Sequence, residues 1–183
     1  MKALLYCTKG MPALFYDVIS KQYMYGIDTP RDRFSHRLNG QIVAEVEIDE
    51  VEIFTTDYRR DYEQNGRISN YSCVSLTRLI EYQGENQFLY ALHLTNLKVF
   101  DKPKELSEYY LFDPDYCILK EVKKAPQNMC RVVESHELIE VPSKEYVLIS
   151  IQPHHLCRIL NGRKTIEVRR KVLNCLKEMC KNG

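Results

Sequence analysis

A chain of 183 residues that is 44% hydrophobic and 28% charged has enough apolar material for one domain with a real core, and no apolar run approaches the length of a bilayer span. The net charge of +1 says nothing about partners, but its distribution does: from Ile151 onward eight Lys or Arg face two acids, giving +6 and leaving the first 150 residues at −5. Seven cysteines without a C-x-x-C pair read as reduced thiols, and the opening Met1 to Tyr6 lacks a signal-cleavage pattern, so a cytoplasmic protein with no metal and no cofactor is expected.

In chain order, residues 2–8 read as a short buried strand that ends at the turn Lys9-Gly10-Met11-Pro12. From there to Arg37 the sequence is aromatic and polar without a period, which predicts helical or irregular structure. Ile42, Ala44, Val46 and Ile48 alternate with polar residues before the phase slips to Val51 and Ile53, so a bulge is expected near Asp49-Glu50. Residues 55–72, with Asn65-Gly66, read as a polar surface excursion. Leu76, Leu79 and Ile80 predict a brief helix before Gly84, and Phe88, Tyr90, Leu92 and Leu94 predict a strand running toward Phe100 and stopped by Asp101-Lys102-Pro103. One or two helical turns over 104–110 and a break at Asp113-Pro114-Asp115 follow.

The last forty residues are the most informative. Tyr146 to Ile151 suits a buried strand, Pro153 suits the first turn of a helix, and Leu156, Ile159 and Leu160 share one helical side while His155 and Arg158 point away. Asn161-Gly162 supplies a left-handed stop. Lys164, Ile166 and Val168 then alternate with Thr165, Glu167 and Arg169, as in a half-buried strand carrying the last three on one face. Val172, Leu173, Leu176, Met179 and Cys180 predict an amphipathic closing helix.

The sequence strand, Pro, helix, N-G-R-K-T-I-E-V-R over 146–169 resembles the signature of the ASCH domain family, a branch of the PUA-like barrels. That signature normally lies near the amino terminus, and here it lies near the end. The segments 2–9, 38–53, 88–106 and 125–132 resemble the strands that follow it, in the order of a circular permutation. The resemblance implies an α+β fold: one domain over 1–183 built on a small PUA-like mixed β-barrel of five or six strands with short flanking helices. Elaborations would fall at 10–37 and 55–75, and the permuted signature segment at 146–183.

The function this implies is nucleic-acid or nucleotide recognition, with RNA or a nucleotide in a basic cleft lined by Lys164, Thr165, Glu167 and Arg169. Arg170, in the triplet Arg169-Arg170-Lys171, suits phosphate oxygens, and the loop amides Gln127 and Asn128 suit a base edge. Tyr6 and Lys9, in the opening segment, complete the candidate set. Tyr6, Tyr90 and Tyr146 can stack a base, although packing is the ordinary role of strand aromatics; His154-His155 suits capping or the surface.

Two other readings stay open. One is a nucleoside- or RNA-modifying hydrolase using Lys164 and Glu167 as acid and base. Some small ASCH proteins deacetylate cytidine with the lysine of G-x-K-T and a threonine three residues later; here that place holds Glu167, so the hydroxyl chemistry does not carry over. The other is a bacterial, phage or mobile-element protein that acts on a host protein partner.

Overall fold

The computed structural model describes residues 1–27, 36–56, 62–113, 118–134 and 144–180. Its chemistry starts from two apolar runs, Lys2–Cys7 (β1) and Tyr146–Ile151 (β9), which lie parallel with Leu4 opposite Leu148 and Leu5 opposite Ile149. Neither run alternates with polar residues, because both faces are covered. Leu5, Val147 and Ile149 join the main core with Leu156, Ile159 and Leu160, while Leu4, Tyr6 and Leu148 pack on the other side with Ile42, Tyr109 and Val132.

Around this pair an eight-stranded mixed sheet is built. Ile42–Phe54 (β4) lies antiparallel to β1, and Leu89–Lys104 (β5) lies antiparallel to β4. On the other side of β9 come Met129–Glu134 (β8), Tyr109–Asp113 (β6) and Ile118–Glu121 (β7). Ile166–Arg169 (β10) forms the far edge beside β5. The expected slip in β4 is present between Ile48 and Glu50, with two more between Ile42 and Ala44 and between Glu45 and Glu47. Such bulges bend a strand and strengthen its twist, so they curl the sheet.

The architecture is thus mixed α+β, as expected, but with eight strands in the sheet instead of five or six, and it is not a closed barrel. Among the described residues the edge strands β10 and β7 pair with each other nowhere. Where the curl brings β10 toward β9, the gap is crossed by the Arg169 side chain instead of a backbone ladder. No helix among the described residues is long and apolar enough to cross a membrane.

Four local expectations are corrected. Within 11–37 the chain forms a hairpin, Ala13–Asp17 (β2) with Gln22–Gly26 (β3), while residues 28–35 lie outside those described. The polar excursion contains a helix, Tyr62–Ser72 (α1), because Ile68 supplies a buried anchor against Phe54, Ile166 and Val168. Pro103 does not stop β5: the register jumps from Ala44 opposite Val99 to Ile42 opposite Lys104, so Pro103 falls in an irregularity where the ladder needs no donor from it. The closing helix is a single turn, Asn174–Lys177 (α4), after which Cys180 bridges Val51. Leu76–Gln83 (α2) forms as read, N-capped by Ser75 and stopped at Gly84, and a 3-10 turn at Leu106–Glu108 matches the short helix expected there. The break at Asp113-Pro114-Asp115 falls where β6 ends, its last two residues outside those described.

Pro153–Leu160 (α3) also forms as read, with Gly162 at φ +70°. The hairpin docks on it through an amide and a thiol: Asn161 Oδ1 accepts from Tyr23 N at 2.9 Å, and Asn161 Nδ2 and Cys157 Sγ donate to Tyr23 O at 2.8 and 3.1 Å. Asn161→Ala removes both amide bonds and leaves the half-buried Tyr23 N–H without this acceptor, while Tyr23 O keeps the Cys157 thiol at 3.1 Å, so a loss of about 1 kcal/mol in urea denaturation is expected. Faster amide exchange at Tyr23, ahead of β9, should accompany it.

Candidate functional site

The end of α1 organises the site. Its last carbonyls have no intrahelical partner, and the partial negative charge there favours cations. Three donors from the end of the chain meet them in sequence: Thr165 N to Tyr71 O at 2.9 Å, Lys164 Nζ to Ser72 O at 2.8 Å, and Arg158 Nη1 to Cys73 O at 3.0 Å. Cys73, at φ +55°, turns the chain away.

Lys164 therefore lies before β10, not in it, and it reaches Glu167 by spanning the turn. Its ammonium is 3.1 Å from Glu167 Oε2, with side-chain exposures of 2% and 8%. Arg169, two residues on from Glu167 along the strand, places Nε 2.8 Å from Glu167 Oε1. Its other nitrogens are also engaged: Nη2 donates to Ser150 O at 2.7 Å and Nη1 to Asn128 Oδ1 at 3.2 Å. Two cations thus share one buried carboxylate. Burial pushes the Glu167 carboxyl up, but Lys164 and then Arg169 and His155 outweigh it, and the group ends below the ordinary carboxylate range.

This cluster forms the floor of a cleft of about 1020 Å³. One wall is a face of α2, with Ser75, Arg78, Leu79 and Tyr82 at the spacing of successive turns, and the 123–127 loop before β8 adds to the lining. The end of β1 contributes Tyr6, Thr8 and Lys9, and α3 contributes His154, His155 and Arg158. Four exposed cations stand on the lip: Lys9, Arg78, Lys123 and Lys124. Three more lie deeper (Arg158, Lys164 and Arg169), and among the described lining residues Glu167 alone is acidic.

Of the residues expected from sequence, Lys164, Glu167, Arg169, Gln127, Tyr6 and Lys9 line this cleft. Three do not. Thr165 is exposed outside it, because alternation does not hold before the strand starts at Ile166. Asn128 braces the floor from behind, accepting from Arg169 and donating to Lys171 O at 2.5 Å. Arg170 leaves the cleft and lies over the Tyr82 ring, 4.4 Å from its centroid, with Nε donating to Tyr82 O. Tyr6 is only 2% exposed, and Tyr90 and Tyr146 are packed in the cores away from the cleft.

The histidines are the main residues that sequence reasoning missed. They sit in the cleft instead of on the surface, their rings 4.0 Å apart, and His155 Nδ1 is buried with no hydrogen-bond partner. Burial, then Lys164 and His154, hold the His155 imidazole down to about 4, so it is neutral at pH 7. The available signal was the polar side of α3, where His155 and Arg158 stand one turn apart opposite Leu156 and Ile159.

No protein-family model, curated protein or solved structure matches this chain.

Proposed function

We propose that this cleft recognises a nucleotide or a nucleic-acid strand, and that the chain is an ASCH-like domain of the PUA-like class in permuted order. The observation that carries the reading is the division of charge. On the floor, Lys164 and Arg169 are engaged with Glu167, main-chain carbonyls and Asn128, which leaves a polar surface fit for a base. The four lip cations are placed for phosphates. Tyr82 and the imidazoles of His154 and His155 add aromatic surface to the lining. The strand, helix, glycine stop and strand of 146–169 form in the order that the ASCH signature implies.

The same geometry weakens the hydrolase reading. The Lys164 ammonium donates to Ser72 O and lies against Glu167, so it is committed as a donor instead of being poised to take a proton.

The test is binding of labelled RNA, DNA and mononucleotides to the wild type and to a variant with Lys9, Arg78, Lys123 and Lys124 all changed to Gln. These positions are exposed, so the variant should fold. Affinity should drop by at least about tenfold, and for a polynucleotide the slope of log affinity against log salt should flatten by roughly one for each lip cation that meets a phosphate. No affinity for any of these ligands, or equal affinity in the variant, removes the proposal. Turnover of a modified nucleoside would instead favour the hydrolase.

A further inference from the structure

On the sheet face away from the Glu167 cluster, β4 and β5 bring together three side chains of the kind that hold transition metals. Glu50 stands opposite His93 in the ladder, and Glu52 follows two residues along the same face of β4. One ligand atom from each lies within 4.8 Å of the others. None of the three lines the cleft. His93 pairs across β10 with Ile166, whereas Glu167 pairs with Leu92, so the two clusters occupy opposite faces.

His93 and Glu52 are at ion-pair distance, but the contact lacks hydrogen-bond alignment. His93 Nε2 and Glu52 Oε2 are 3.2 Å apart, both atoms are buried, and neither has a hydrogen-bond partner. Two ligands bonded at 2.0–2.1 Å to one tetrahedral ion stand about 3.3 Å from each other, which the observed spacing matches. The second oxygen of the Glu52 carboxylate, Oε1, is taken by Arg67 from α1. That contact fixes the carboxylate and leaves Oε2 directed at the imidazole, the way an outer-shell partner orients a ligand.

We propose that Glu50, Glu52 and His93 form a binding site for one divalent transition-metal ion of the Zn²⁺ type. The donor set of one imidazole and two carboxylates suits Zn²⁺, Co²⁺ or Mn²⁺, whereas Ca²⁺ and Mg²⁺ prefer oxygen alone. Three protein ligands leave a coordination position for water. The site would tie β4 to β5 outside the main core, independently of what the cleft binds.

Titration with Co²⁺ reads both stoichiometry and ligand type. Wild type should take up one equivalent and show visible d–d bands without the near-ultraviolet charge transfer of thiolate ligation, which separates this site from the cysteines. Zn²⁺ should displace the Co²⁺ and raise the melting temperature; Mg²⁺ and Ca²⁺ should do neither. His93→Gln and Glu50→Gln should each weaken Co²⁺ binding by at least about tenfold. Both replace partly exposed side chains, and far-ultraviolet circular dichroism checks their fold; if one misfolds, the other carries the test. Absence of a Co²⁺ complex, a thiolate spectrum, or wild-type affinity in a folded variant overturns the site.

Discussion

Glu167→Gln should be the most damaging single substitution in the cleft, costing about 3–5 kcal/mol in urea denaturation, the range for removing one partner of a buried ion pair. Gln matches Glu in shape, so the loss is of charge. It strands two cations at once, Lys164 at 3.1 Å and Arg169 at 2.8 Å, neither of which can move its charge into water without leaving the Ser72 or Ser150 carbonyl unpaired. Lys164→Met should cost less, because Glu167 keeps Arg169 and the remaining penalty is the buried Ser72 carbonyl, about 1–3 kcal/mol. Combining Lys164→Met with Glu167→Gln should cost less than the two single losses added together, since only Arg169 is then left without its counter-charge. A cycle in which Lys164→Met is the costlier single change would refute the shared-carboxylate account.

The lip cations and the floor differ in how visible they are in the sequence, and the difference is one of range. The unit from Tyr146 to Arg169 is governed by local rules: a proline with no hydrogen bond to lose, apolar residues one turn apart, a glycine at positive φ, and a strand that alternates. Lys164, Glu167 and Arg169 therefore met as expected, although Lys164 arrives through a turn and not through the strand. Arg78, Lys123 and Lys124 reach the same cleft because α2 and the loop before β8 fold against it from far away in the chain, and nothing in their neighbours signals that.

The hairpin of β2 and β3 was hidden for a different reason. Its turn uses Lys21 at φ +55° where a glycine or asparagine would have announced it, and β3 is mostly exposed, so its residues show no clean alternation. In α1 the misleading signal was Asn65-Gly66, which reads as a turn. Gly66 lies inside the helix, where an added Cβ would meet nothing within 4 Å, so it is tolerated there without being required.

The acid limb of stability should show two phases, and His155 should own most of the first. In the unfolded chain its imidazole takes up a proton near pH 6.5; in the fold burial and the neighbouring Lys164, His154 and Arg158 delay this to about 4, against an opposing pull from Glu167. Between those values the unfolded state binds more protons, so stability is complete above about pH 6.5 and falls with pH until about 4. A depression of that size, discounted because the ring is only partly buried, corresponds to about 2 kcal/mol. His154 is shifted the same way, by burial and then Arg158 and Lys164, and adds to this phase. Glu167 produces the second: its folded pKa is depressed, so its contribution holds above the unfolded value near 4.5 and is lost below it. Urea midpoints for wild type and His155→Gln between pH 8 and pH 3.5 separate the two. The variant should lose most of the decline between pH 6.5 and 4.5 while keeping the steeper fall beneath it, and parallel profiles in the two proteins would show that His155 is not held neutral by its surroundings.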